Sequence, residues 1–227
     1  MSINHGLQPL ECNAARYKQR GLAAMGNNLS CSAVPEESIE HPPKMPNRHT
    51  TLEFYIDTNR INARQGLPHM NQLEKWRRNG VISIQMPDEA RLEALRGRNP
   101  DRSRKTKSYI CSIVPQDMQA RYQRVLDEVE NILFPSGAQT QDQLNDVGIV
   151  FNAGYYMAIL ITDDGDSNRQ PNGILGSREK LLKLGIQVMR DSEAVSLVRE
   201  RIGQRDELAR AVASRTGQPL PEWVGVD

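Results

Sequence analysis

From residue 52 onward, the hydrophobic positions of this chain fall into short apolar runs separated by amphipathic stretches. Residues 52–57 (Leu-Glu-Phe-Tyr-Ile-Asp) are apolar and aromatic and stop abruptly at Asp57. That is the pattern of a buried strand delivering one carboxylate to the end of a sheet. Met70, Leu73 and Trp76 recur at three-residue steps and predict a helix over 68–79, ended by Asn79-Gly80. The β-branched run 81–84 predicts a second strand. Residues 87–95 predict a short helix with Pro87 near its first turn, where the missing N–H costs nothing. Residues 115–133 read as one longer helix with Met118, Tyr122, Val125, Val129 and Ile132 on its buried side, broken by Pro135-Ser136-Gly137. A helix is expected over 141–157, although Gly148 and Gly154 weigh against it. A third strand follows at 158–162, then a loop over 163–177, a helix over 178–184 stopped by Gly185, and a fourth strand at 186–189. Asp191 or Ser192 is placed to cap a helix running to Ile202, and a last helix covers 205–215.

Strands alternating with helices from 52 to 202 predict the α/β class: a three-layer α/β/α sandwich around a central parallel sheet of four to five strands. In such folds ligands bind outside the carboxyl ends of the strands, where the strand order reverses. Asp57 and Thr162-Asp163-Asp164 both stand at predicted strand ends, so the pattern places them on one rim. Before this domain (50–203), residues 1–49 carry Gly, Asn, Ser and five prolines, with one helical segment over 11–25. Too little apolar surface is available there to offset the entropy of ordering, and a flexible N-terminal extension is expected. Residues 204–227 are expected to form a C-terminal helix and tail, available to a second copy of the chain or to a protein inhibitor.

Composition narrows the function classes. At 38% hydrophobic, 227 residues can bury a core, while a net charge of +1 means that any claim on nucleic acid must rest on local clusters. One such cluster is 96–107, which holds Arg96, Arg98, Arg102, Arg104, Lys105 and Lys107 against the single acid Asp101, and which reads as a loop. Cys12, Cys31 and Cys111 are odd in number and far apart, which argues against a disulfide framework or a zinc site and for a reducing cytoplasm. The longest apolar run, 155–161, is far short of the roughly 20 residues that span a bilayer, so no membrane association is expected. No basic segment followed by an apolar stretch opens the chain, and no secretory signal is expected.

The acids carry the candidate chemistry. Asp57 and Asp164 close predicted buried strands, where an ionised carboxylate needs a cation, hydrogen bonds or water. Asp146 lies near the start of the helix feeding the third strand, and a helix start favours negative charge. Glu89 and Glu93 are four residues apart on the short helix and share a face. Carboxylates converging on one rim repel each other, and an oxygen-only ligand set selects hard ions such as Mg²⁺ or Mn²⁺ over zinc. Each acid also has a plainer role: Asp57 a turn cap, Asp146 a helix N-cap, Glu93 a solvated helix face. Asp163-Asp164-Gly165-Asp166 is good turn chemistry.

In this order, Tyr-Ile-Asp-Thr-Asn at the first strand, Asn145-Asp146 opening a helix, Ala153, and Leu-Ile-Thr-Asp-Asp closing the next strand resemble the PIN domain family over residues 51–202. The sixteen-residue step from Asp146 to Thr162 is similar to that family's spacing from its third acid to the Thr of Thr-x-Asp. The resemblance implies an α/β/α fold and a Mg²⁺- or Mn²⁺-dependent endonuclease acting mostly on RNA. It implies a metal site of Asp57, Glu93, Asp146 and Asp164, with Glu89, Asp163 and Asp166 as second choices. Thr58, Asn59, Asn145 and Thr162 would support the site, and the basic segment would grip the substrate. The chain is longer than the small toxin ribonucleases of the family, and its basic segment and long 163–177 loop are extra.

Rival readings fare less well. A calcium loop counted from Asp163 or Asp164 places Ile174 or Leu175 where Glu is required. A haloacid dehalogenase-type phosphatase also ends its first strand on Asp, but its second Asp, two residues on, is Asn59 here. No Gly-x-Gly-x-x-Gly or Gly-x-x-x-x-Gly-Lys motif supports a nucleotide site. The non-enzyme alternative is a PIN-like module that binds RNA or protein without cutting.

Overall fold

Five parallel strands, β1 (Glu53–Ile56), β2 (Ser83–Pro87), β3 (Ile110–Ser112), β4 (Ile159–Ile161) and β5 (Val188–Met189), form one sheet in the order β3-β2-β1-β4-β5. The computed structural model describes residues 43–97, 99–165 and 172–227. The expected extension as far as residue 42, its helical segment 11–25, and the positions Arg98 and Asp166 lie outside the described residues. Phe54, Tyr55 and Ile56 of β1 and all three residues of β4 are buried. Strands covered on both faces read as continuous apolar runs, which is why their sequences do not alternate. Helices flank the sheet in a three-layer α/β/α arrangement, as the pattern predicts. The strand order reverses between β1 and β4, and Asp57 and Thr162 each follow directly from those two strands.

The helices in chain order are α1 (Pro68–Arg78), α2 (Asp88–Arg96), α3 (Pro100–Thr106), α4 (Gln116–Arg121), α5 (Gln123–Leu133), α6 (Gln141–Tyr155), α7 (Gly173–Gly176), α8 (Arg178–Lys183) and α9 (Asp191–Thr216). In α6, the two glycines are sites of close approach and do not weaken the helix. A Cβ at Gly148 would stand 2.8 Å from Glu89 Cγ of α2, and one at Gly154 would stand 2.7 Å from Ile186 Cγ1. Thr140 caps α6, with its hydroxyl accepting from Gln143 N and the Gln143 side chain returning to the cap.

Several expectations need correction. The basic segment is not a loop: Asn99 caps α3 by accepting from the Asp101 and Arg102 amides, with Pro100 in the first turn. β3 was not expected; it is a three-residue edge strand with Ile110 exposed. β2 starts two residues later than the β-branched run and ends on Pro87, because Val81 closes the turn after α1 through Trp76 O. Residues 115–133 form α4 and α5, separated at Tyr122, whose backbone (φ −105°, ψ 20°) leaves the helical region. The loop 163–177 contains α7. The last two expected helices are one, α9, with Gly203 in its interior. Arg190 is its cap residue and Asp191 its first helical residue. Trp223 is half-buried, its ring 4.3 Å below the Arg205 guanidinium of α9.

Candidate acidic site at the sheet rim

Asp57 leaves β1 buried and held from three sides. Its Oδ1 accepts from the Thr58 amide at 2.5 Å, and its Oδ2 accepts from Asn59 Nδ2 at 2.5 Å and Thr162 Oγ1 at 2.6 Å. Thr162, fully buried at the end of β4, also accepts from Asn59 Nδ2 (3.1 Å) and from the Asp164 amide (3.0 Å). Asn59 is fixed in turn, since its Oδ1 accepts from Arg60 Nε at 3.0 Å and from the Asp163 amide at 3.1 Å. The 3₁₀ turn Thr58–Arg60 and the end of β4 are thus tied into one polar network around a single carboxylate. Burial pushes the Asp57 carboxyl up to about 6; the Thr162 and Thr58 hydrogen bonds oppose this, and the Glu93 and Asp164 charges add to it.

Glu93 and Glu89 of α2 part company. Glu93 Oε2 accepts from Thr58 Oγ1 at 3.0 Å, and its charge acts on both Asp57 and Asp146. Glu89 lies against Gly148 in the seam between α2 and α6, and its Oε2 is buried with no hydrogen-bond partner among the described residues. Burial raises the Glu89 carboxyl, opposed in part by its own backbone amide and by Asn152.

Asp146 lies in the second turn of α6, not at the helix start, so it neither caps the helix nor sits in its first turn. Burial raises it to about 7, and the charges of Asp57, Asp164, Glu93 and Asp142 all push in the same direction. Asp164 Oδ2 accepts from the Ile174 amide at 2.9 Å and its carbonyl from the Leu175 amide at 2.8 Å, so it also closes the loop that ends in α7. Gly173 (φ +88°) is required there, because a Cβ would stand 2.6 Å from Asp164 Oδ2. Asp163 turns away to Arg60 Nη2 (3.2 Å) and Arg190 Nε (3.7 Å). Asn145 faces inward: its Oδ1 accepts from Gln141 Nε2 at 3.0 Å, and its Nδ2 is buried without a partner among the described residues.

Four carboxylates from four segments therefore act on one another at the rim: Asp57, Glu93, Asp146 and Asp164. The donor set is oxygen-only, which suits a hard divalent cation. Every group acting on Asp146 raises its pKa, the strain a cation relieves. Among the described residues no three His, Cys, Asp or Glu side chains stand close enough to form a ready ligand group.

The basic positions divide. Arg96, Arg104 and Lys107 are exposed, Lys105 is bound to buried Glu74 at 2.7 Å, and Arg102 donates from Nη2 to the Thr58 carbonyl at the rim. Sequence reasoning missed Arg60, whose guanidinium joins Asn59, Asp163 and Asp191; its position three residues after Asp57 was the available signal. No helix among the described residues is long and apolar enough to cross a membrane. No family model matches the chain, and no curated protein matches it.

Proposed function

We propose that the chain is a PIN-type, metal-dependent endoribonuclease of the cytoplasm that hydrolyses phosphodiester bonds of RNA through its carboxylate rim. The observation that carries this reading is the gathering of Asp57, Glu93, Asp146 and Asp164 where the strand order reverses, with Asp57 and Asp146 raised first by burial and then by the charges of Glu93 and Asp164. Asp57, Glu93, Asp146 and Asp164 would hold the ion. A bound Mg²⁺ or Mn²⁺ supplies a water activated at neutral pH and a counter-charge for the phosphate oxygens.

The remaining work falls to side chains of this chain. Thr58 Oγ1 fixes Glu93, while Asn59 and Thr162 fix both the position and the ionised form of Asp57. Burial and its acidic neighbours raise Asp146 to about 7, so it is a group that would release a proton to take up a cation. The same network speaks against a phosphatase using Asp57 as nucleophile: both oxygens are engaged by donors, and the neighbouring position that would carry the second acid is Asn59, itself a donor to Asp57.

The test is to incubate the protein with single-stranded RNA and DNA, in Mn²⁺ and in EDTA, beside Asp146→Asn. The expected result is RNA cleavage by the wild type in Mn²⁺ alone. Cleavage indifferent to EDTA and to the substitution, or no cleavage of either nucleic acid, overturns the proposal.

A further inference from the structure

α3 sorts the basic residues of its segment into different tasks. Lys105 is structural: its Nζ is 2.7 Å from Glu74 Oε2 and 5.7 Å from the centre of the Tyr109 ring, and Tyr109 donates to the other Glu74 oxygen at 2.7 Å. Arg77 of α1 donates to Ser108 O at 3.0 Å just beyond the helix, and Thr106 is buried. These contacts pin α3 to α1 as a preformed element. Arg104 points to solvent, its side chain 81% exposed and only 3.7 Å from its own neighbour Asp101.

Arg102 is different. It is half-buried, and it reaches across to the carbonyl of Thr58, the residue between Asp57 and Asn59. The hydroxyl of that threonine holds Glu93. No carboxylate among the described residues lies within ion-pair distance of Arg102. A guanidinium has five N–H donors in a planar fork and stays charged at any working pH. One nitrogen is committed to Thr58 O, which sets the orientation of the plane and leaves the other nitrogens unspent. Among the described residues, a cation without a carboxylate partner therefore stands beside a rim of four acids, where an approaching phosphate meets attraction.

We infer that Arg102 holds a phosphate of the bound strand at the edge of the acidic rim, seating the backbone against the carboxylate site. The inference rests on the nuclease reading and assigns its substrate contact. Arg102 touches the sugar-phosphate backbone and not a base, so it contributes equally to strands of any sequence.

The experiment uses the full chain carrying Asp146→Asn to stop cutting, in Mn²⁺. Fluorescence anisotropy follows the binding of two single-stranded RNA oligonucleotides of unrelated sequence across a range of salt. Adding Arg102→Ala should weaken both by the same factor, about tenfold for a lost charge-assisted contact. It should also make the logarithmic salt dependence shallower by about 0.7, the value for one phosphate on a single strand. Arg102→Lys should restore the slope but only part of the affinity. With Asp146 intact, Arg102→Ala should raise KM for cleavage. A purely structural role would lower Tm without moving the salt slope. Unchanged affinity and slope overturn the inference, as does a loss confined to one of the two sequences. Should wild type cut no RNA while Arg102→Ala still weakens binding, the nuclease reading falls and the phosphate contact stands. A protein that binds no RNA refutes both.

Discussion

Raising the pH from 4.5 to 8 in EDTA should lower the melting temperature of this protein. In the unfolded chain Asp57 titrates near the ordinary 3.8, whereas in the fold burial and its acidic neighbours push it to about 6. Between those values the native state binds the proton that the unfolded state has released, so the folded form is favoured at low pH. That advantage is lost as the pH rises through 6. The difference of about two pKa units corresponds to about 3 kcal/mol over the whole titration, of which about 2 kcal/mol is lost between pH 4.5 and 8, the window starting above the unfolded value. Asp146 moves in the same direction, to about 7, but it is partly exposed and water screens it. Part of its shift comes from the Asp57 charge, so the two titrations are coupled and the Asp57 contribution alone is carried forward. In a domain of this size 1 kcal/mol shifts Tm by about 2–4 °C, which makes the expected fall about 4–8 °C. Asp227 acts in the opposite sense: Arg48 and Arg205 outweigh its burial, and its contribution is lost only below the usual carboxylate range, outside this window.

The measurement is thermal unfolding followed at several pH values, with EDTA and with millimolar Mn²⁺. At pH 8, Mn²⁺ should recover most of the lost Tm, because a cation relieves the repulsion that the protons relieved at low pH. Asp146→Asn removes one charge from the cluster without deleting a hydrogen bond given to Asp57. Its Tm in EDTA at pH 8 should therefore exceed that of the wild type, and its response to Mn²⁺ should shrink. A Tm that stays level from pH 5 to 8 in EDTA, or an Asp146→Asn protein no more stable than wild type at pH 8 in EDTA, would falsify the claim that these carboxylates strain one another.

Two further predictions concern α2. Glu93→Gln should lower Mn²⁺-dependent cleavage at least about tenfold, whereas Glu89→Gln should leave it unchanged and raise Tm at pH 8, since the Glu89 carboxyl is raised by burial and its Oε2 lacks a partner; steady-state rates and melting curves of the two variants decide. Gly148→Ala should cost about 1–3 kcal/mol in urea unfolding through overpacking against Glu89 Cγ, and much of that loss should disappear when Glu89→Ala is combined with it, so additive losses would show that the contact is not the cause.

How far the sequence discloses the site depends on whether a residue's neighbours are local or distant. Asp57, Thr162 and Asp164 were legible because a buried strand writes a continuous apolar run, and its end marks the rim wherever the strand lies in the sheet. The carboxyl ends of parallel strands share one rim, which could be assembled without coordinates, whereas the pairing of β1 with β4 is seen only in the structure. The choice between Glu89 and Glu93 could not. The two share one helix face by spacing, and only the close approach of α6 at Gly148 draws Glu89 into the seam while Thr58 takes Glu93. α9 failed for a related reason. Its buried stripe runs through Val195, Val198, Ile202, Ala209 and Val212, but Gly203 and Gln204 stand between the two expected helices, and the stripe is interrupted there by the charged pair Arg205 and Asp206. They are buried because they pair with each other at 2.7 Å and because Arg205 also meets Asp227, the Arg48 carbonyl and the Trp223 ring, partners 22 or more residues away for the first two. α3 is the contrary case, a miss that local reading could have avoided. Asn99-Pro100-Asp101 is a cap, a first-turn proline and a first-turn acid in succession, and the density of arginine and lysine after it concealed a helix start that the chain spells out. That helix turns a generic basic cluster into a graded one, with Lys105 bound to Glu74 and Arg102 delivered to the rim, so the charge count of the segment does not describe one uniform basic surface.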